Sequence, residues 1–342
     1  MTRPREEVPE VLTDGDRVEP VPARYEAADL DRRLSGGHQV AFADGEILTL
    51  ACRGTDAVAH VFDLEIPMVP VGAAGLLALS LRVPRLEEAI VSFHCEAEPA
   101  PDRPPGYGLW RGPKAPPPVR RAPVTLAQVR TVPLRSAALG GPRTLRVYHP
   151  PIPPGAPRRV LFGTDGEAWE QVVEPLIRDG ALPAIIAIGV ENGGPARLRE
   201  YVAGIDRVRF AAHRRFFARE VVGWAERELG ISPDPAHRAV AGVSNGADFA
   251  AAIGVLEPGR FGGVIALSCG RIDPRRVPPG RGGARQWLAA GTLEPGFRKV
   301  TGRWADALER AGVEHVHRVR VAAHDPAMWG QEVAAALPWI FR

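Results

Sequence analysis

The sequence predicts an α/β chain in two parts: a mostly parallel sheet flanked by helices, preceded by a small β-sandwich. Three observations lead there. Beyond residue 124, continuous apolar runs of strand length alternate with helix-length segments, the pattern of a parallel sheet covered on both faces. From about Gln39 to Glu96, short β-rich runs follow one another with no long helix between them. At 342 residues the chain also exceeds the usual size of a single domain.

Residues 1–25 are polar and proline-containing, and are expected to be disordered. The sandwich is expected over 26–97, with strands in EILTLACRG, DAVAHVFDLEI, GLLALSLRV and EAIVSFHCEAE. Residues 98–124 are dense in Pro and Gly and read as an extended linker, in which Trp110 hints at packing. The α/β domain is expected over 125–342. It begins with a hairpin, TVPLRSAAL and RTLRVYHP across the turn GGP. Strands are then expected in RRVLFGTDG, LPAIIAIGV, HRAVAGVSN, GGVIALSCG, RQWLAAGT and HVHRVRVAAH. Between them lie helical segments, one ending at Gly180 and a long one, DRVRFAAHRRFFAREVVGWAERELG, ending at Gly230. GFRKVTGRWADALERAG and MWGQEVAAALPWIF are amphipathic as well.

Composition narrows the function classes. A hydrophobic content of 45% with 24% charged residues fits an ordinary globular protein. The net charge of +3 is too slight for a nucleic-acid binder, and no recognition motif of that class is present. Cys52, Cys95 and Cys269 are odd in number and far apart, so neither a disulfide framework nor a metal or redox motif is expected. No run of about 18 apolar residues suggests a membrane span. The charged, proline-broken start does not read as a signal peptide, so a cytoplasmic location is expected. Nothing in the sequence fixes an oligomeric state.

The chemistry centres on Gly242-Val243-Ser244-Asn245-Gly246, a G-x-S-x-G pattern. The strand AVAGV runs into it and the helix-like GADFAAAIGVLE leaves it, the setting of a nucleophile elbow. The alternative is a strand-to-helix turn with Ser244 as a helix cap. A serine nucleophile needs a base. His324 follows the last strand, in VAAHDPAMW, and is the base by position, whereas His315 and His317 lie inside that strand and read as structural. For the acid that orients the imidazole, Glu294 in GTLEPGF is preferred over Asp273, which follows the strand before it. Asn245 is expected to offer a backbone N–H to the oxyanion, and the loop Gly163-Thr164-Asp165-Gly166 the others, from Asp165 and Gly166, with a helix start at Glu167 pointing further N–H groups at the site. An ordinary turn with Asp165 capping the next helix is compatible with that role.

The series LFGTDGEAW, RLREY, GVSNGADFA, GTLEP and AAHDPAMW, in this order, resembles the putative-esterase branch of the α/β-hydrolases. That branch includes enterochelin esterases, feruloyl esterases, S-formylglutathione hydrolase and mycolyltransferases, and the domain order is most similar to the enterochelin (ferric siderophore) esterases. The resemblance covers about 125–342 well and 30–124 in texture only. It implies an α/β-hydrolase fold with Ser244 as nucleophile, His324 as base and Glu294 as acid, and no metal or cofactor. Arg197 and Glu200 match the branch's Arg-x-x-Glu element. Ala322-Ala323 departs from the Gly-Gly that members often carry before the histidine. The implied partner is a small-molecule ester, with a ferric siderophore as the leading case. Arg197 and Arg199 are the candidate anion-binding groups, because guanidinium suits anionic oxygens. Trp169 and Trp329 are candidates to line the pocket. Alternatives are an acyltransferase, a feruloyl or thioester hydrolase of the same fold, and a non-catalytic binding protein.

Overall fold

Alternation with period two builds the N-terminal strands of this computed structural model. It describes residues 18–22, 25–54, 57–62, 64–72, 75–97, 107–119, 123–257, 259–277 and 283–342. Most of the tail expected to be disordered lies outside the described residues, as do 98–106 and 120–122 of the expected linker. The chain divides into two compact units. The first holds Met1–Pro117 with two short later segments, Gly291–Pro295 and Val319–Met328; the second holds Pro118–Ala290, Gly296–Arg318 and Trp329–Arg342.

In the first unit the elements are β1 (Glu19–Val21), α1 (Ala27–Leu34), β2 (Gln39–Asp44), β3 (Ile47–Arg53), β4 (Ala57–Val61), β5 (Leu64–Pro67), β6 (Val69–Pro70), β7 (Leu76–Arg82), β8 (Ile90–Ala97) and β9 (Gly108–Arg111). They form two antiparallel sheets, β1-β7-β3-β2 with β6 on β7, and β5-β4-β8-β9. Leu48, Leu50 and Cys52 of β3 and Leu77, Leu79 and Leu81 of β7 share one core with Ala59, Val61, Val91, Phe93 and Cys95 of the other sheet. The intervening residues Ala51, Leu76 and Ala78 turn to the opposite face, where Leu30 and Leu34 of α1 cover them. Two strands lie outside the expected range. Glu19–Val21 falls in the expected tail, and Gly108–Arg111 falls in the expected linker, with Trp110 half-buried on the sandwich core. Both are edge strands, which tolerate proline-rich flanks because one side of the strand needs no ladder bonds.

The second unit is the expected α/β layer structure. Its elements are β10 (Val129–Ser136), β11 (Gly141–Tyr148), β12 (Arg159–Gly163), α2 (Glu170–Arg178), β13 (Ile185–Val190), α3 (Arg197–Tyr201), α4 (Arg207–Arg215), α5 (Val222–Leu229), β14 (Arg238–Val243), α6 (Asn245–Leu256), β15 (Gly263–Leu267), β16 (Arg285–Gly291), α7 (Pro295–Arg310), β17 (His315–Arg320) and α8 (Pro326–Ile340). The sheet order is β10-β11-β13-β12-β14-β15-β16-β17. The β10–β11 and β11–β13 pairs are antiparallel, and those from β13 through β16 are parallel. Val160, Phe162 and Val240 face the layer containing α4 to α7, while Leu161, Ala239 and Ala241 face α2 and α8. Burial on both faces is why these strands read as continuous apolar runs. The expected long helix is present with a π-helical turn at Phe216–Val221 between α4 and α5, which buries Phe216, Phe217 and Val221 together. Among the described residues, no helix is long and apolar enough to cross a membrane.

Candidate active site

Ser244 stands where β14 ends and α6 begins, with φ 56° and ψ −129°. That conformation costs a non-glycine residue about 1–3 kcal/mol and persists only where the surroundings enforce it. They do so here. Its N–H donates to Leu267 O at 2.9 Å, continuing the ladder to β15, while its own carbonyl accepts from Ala247 N at 2.9 Å. A Cβ on Gly242 would collide with the Gly246 carbonyl, and one on Gly246 with Thr164 Oγ1. Although Ser244 occupies the cap position of α6, its hydroxyl makes no capping hydrogen bond. The simple helix-cap alternative therefore does not describe it. Asn245 is the first residue of α6, where no intrahelical carbonyl is in reach of its N–H.

Beside the elbow, the loop after β12 is brought close because β12 pairs with β14, Gly163 opposite Ala241. Asp165 and Gly166 both take positive φ, 66° and 68°. This turn commits the two N–H groups expected to serve an oxyanion. Asp165 N donates to the Tyr201 hydroxyl at 3.0 Å, and Gly166 N to Val190 O at 2.8 Å. Both are therefore corrected: they shape the loop, and the next two N–H groups, of Glu167 and Ala168, are the ones without an acceptor among the described residues. The Asp165 carboxylate does not cap a helix. It accepts from Arg197 Nε at 2.5 Å and Nη2 at 2.9 Å and from Asn192 Nδ2 at 2.7 Å.

Arg197, expected to meet an anionic substrate, is paired here with Asp165 and lies over the Tyr201 ring, 5.3 Å from the centroid. Tyr201, missed in the sequence, is one helical turn from Arg197, and that i, i+4 spacing in RLREY was its only signal. Burial pushes the Tyr201 hydroxyl well above the usual phenol range, so it stays neutral. Glu200 is fully buried, bonded to Arg143 Nη2 at 2.7 Å and 3.5 Å from Arg209 Nε, and it ties α3 to β11 and α4. Trp169, expected at the pocket, is held in the interior. Its indole is 7% exposed, packs in the core under α2 and fills the space a side chain at Gly163 would need. Trp329 Nε1 donates to Ser268 Oγ at 2.9 Å. Arg199 is exposed on α3 with no ion pair among the described residues.

Glu294 follows β16 and His324 follows β17, as the order of the sequence required. His324 Nδ1 donates to Glu294 Oε2 at 2.7 Å, and Glu294 Oε1 accepts from Gly291 N at 2.7 Å. The histidine side chain is 14% exposed and the carboxylate 3%. A proton fixed on Nδ1 leaves Nε2 of the neutral ring as an acceptor. Asp273 is engaged elsewhere: it caps a short turn and forms a two-nitrogen pair with Arg275, which holds its pKa below the usual carboxylate value. The methyl groups of Ala322 and Ala323 are buried, Ala323 in the sandwich core. Among the described residues no three His, Cys, Asp or Glu side chains gather to hold a metal ion.

An elbow serine at the carboxyl end of a central parallel strand, on a sheet of this order, defines the α/β-hydrolase class. The family model described as putative esterase matches residues 136–339, and the chain belongs to that family. Among solved structures, the chain is similar to ferric enterobactin esterase from Salmonella typhimurium, at 15% identity over 89% of this chain and 96% of that one, with a TM-score of 0.70. It is similar to the enterobactin esterase from Shigella flexneri solved in the presence of enterobactin, at 14% identity over 90% and 97%, TM-score 0.70. A ferulic acid esterase from Anaeromyces mucronatus matches at 13% identity over 62% and 90%, TM-score 0.51. At these identities the likeness is one of fold. Among curated proteins none matches the chain.

Proposed function

We propose that this chain is a serine esterase that hydrolyses carboxylic esters or lactones through an acyl-enzyme. The observation that carries the reading is the backbone of Ser244, strained and glycine-flanked with its hydroxyl not used as a cap. In the proposed reaction, His324 takes the Ser244 Oγ proton as Oγ attacks the ester carbonyl. Glu294 holds the imidazole and stabilises its charged form. The oxyanion is received by the Asn245 N–H and by Glu167 or Ala168 in place of Asp165 and Gly166. Collapse releases the alcohol with the proton from His324, and water, deprotonated by the same ring, hydrolyses the acyl-enzyme.

For the substrate we propose a bulky anionic ester, a ferric catecholate siderophore lactone being the leading case. The support is that likeness to the enterobactin esterases extends over about nine-tenths of this chain, including the N-terminal unit, whereas the ferulic acid esterase covers 62%. The division of labour expected from the sequence, an N-terminal β-domain and a C-terminal catalytic one, remains part of the proposal. Three buried cysteines, none in a disulfide, accord with a reducing, cytoplasmic setting. A panel of ferric and iron-free siderophore lactones, feruloyl esters and acyl-thioesters, each assayed with wild type and Ser244→Ala, tests both levels. Fastest turnover of the ferric lactone, abolished by the substitution, is expected. Faster turnover of a neutral feruloyl ester or thioester overturns the substrate, and activity surviving Ser244→Ala overturns the mechanism.

A further inference from the structure

The segment that carries His324 belongs to the same compact unit as the N-terminal sandwich, and two of the hydrogen-bonded anchors that hold it come from one strand edge. Strand β4 pairs with β8 only as far as Phe93, so the edge of β8 at Ile90 to Ser92 is left beyond its end. On the other side, β9 pairs with the whole stretch from Ile90 to Phe93. Backbone N–H groups alternate between the two edges of a strand, so Ile90 and Ser92 present theirs to the same side. Ile90 N donates to Val321 O at 3.0 Å, and Ser92 N donates to Asp325 Oδ2 at 2.6 Å. The two anchor points, Val321 and Asp325, bracket His324 in the chain.

Asp325 is the centre of this clasp. It is 5% exposed, and besides the Ser92 N–H its carboxylate accepts from Ser92 Oγ at 2.7 Å and from Ala327 N at 2.7 Å, in the first turn of α8. A carboxylate at a helix start that accepts from three donors is held in one orientation. Leu293, Val321 and Ala323, flanking Glu294 and His324, complete the fixation by packing in the sandwich core. None of these side chains is called on to touch substrate.

We propose that Ser92 and Asp325 are positioning residues for the general base. Strand β8 sets the attitude of the imidazole, so the N-terminal unit serves the chemistry of every ester, small or large. This rests on the assignment of His324 as the base. A misplacement of about 1 Å in a catalytic group can lower turnover by about 100-fold, which sets the scale of the effect.

The test is steady-state hydrolysis of a small neutral p-nitrophenyl ester by full-length variants. His324→Ala comes first: it should be inactive, and retained activity removes the base and this proposal with it. With that settled, Asp325→Asn should lower kcat by about 10- to 100-fold with KM within about twofold, and should displace the midpoint of the kcat–pH profile. Ser92→Ala should lower kcat by about 3- to 10-fold, and Ser92→Thr, which keeps the hydroxyl, should restore at least half of it. The double variant should be no worse than Asp325→Asn alone, because the two act as one contact. If Asp325→Asn does not fold, the comparison of Ser92→Ala with Ser92→Thr decides. Wild-type kcat and pH profile in the folded variants, with His324→Ala inactive, overturn the positioning role and leave the esterase reading intact.

Discussion

Arg197 grips the carboxylate of Asp165 with two nitrogens, Nε to Oδ1 at 2.5 Å and Nη2 to Oδ2 at 2.9 Å. One turn on, Tyr201 accepts the N–H of the same aspartate at 3.0 Å. Helix α3 thus holds both the side chain and the main chain of the loop beside the elbow. Arg197→Ala is therefore expected to lower kcat by about tenfold for neutral and anionic esters alike, with little change in KM and little response to salt. Arg199 is the contrast. Exposed and unpaired among the described residues, its replacement by Ala should raise KM for an anionic ester only, and added salt should shrink the difference. Kinetics on one neutral and one anionic substrate at two ionic strengths check both.

Glu294 engages both its oxygens, one with His324 and one with Gly291 N. Glu294→Gln should lower kcat by about two to four orders of magnitude while leaving measurable turnover, because the serine and the oxyanion donors remain. Asp273→Asn should be nearly silent, its partner Arg275 being an exposed neighbour in the chain. A large loss on Asp273→Asn, with Glu294→Gln unaffected, would reverse the assignment.

Buried titratable groups near the elbow give the stability a pH dependence with two opposed parts. Burial, with the Arg143 and Arg209 charges nearby, lowers the His213 pKa to about 3, so its 3.5 Å approach to Glu200 is not a charged pair. The unfolded chain takes up a proton near pH 6.5 that the folded one refuses. The contribution is thus full above pH 6.5 and is lost as pH falls toward about 3. Asp248, which accepts from Gly270 N and Arg271 N, is pushed up to about 6 by burial. Its sign is opposite: its contribution is full below about pH 4 and fades as pH rises through 6. Urea unfolding at pH 7 and pH 5 separates them. His213→Phe should lose about 2 kcal/mol less than wild type on going to pH 5, and Asp248→Asn should lose more than wild type.

Close approach makes a further prediction at the elbow. Gly242→Ala places its new methyl against the Gly246 carbonyl, a backbone atom with nowhere to move. It should destabilise the fold by more than about 2 kcal/mol, read as a lower midpoint in urea. A midpoint equal to wild type would show that the elbow is looser than described.

What could be read in advance followed from local pattern. Ser244 stood out because an apolar strand, two glycines at fixed spacing and a helix adjoin it within about a dozen residues. Glu294 and His324 were singled out because each comes within a few residues of a strand end, and the structure brings their side chains together. What was not legible lay where the partner is remote. Arg197 resembled a free cation because Asp165 is 32 residues away, and Ser92 carried no signal because Asp325 is 233 residues away. Trp169 resembled a pocket residue because its packing under Gly163 depends on how β12 and α2 meet. The strand at Gly108–Arg111 was hidden by proline and glycine, which an edge strand tolerates.

Covalent capture shows whether Ser244 is an activated nucleophile, on which the whole proposed reaction depends. Wild-type protein treated with a fluorophosphonate, digested and read by peptide mass spectrometry should carry one adduct, on Ser244. Labelling should be strongly slowed in His324→Ala, since the hydroxyl then lacks its base. Absence of any adduct from a preparation that hydrolyses esters, or an adduct on another residue, would rule out Ser244 as the nucleophile.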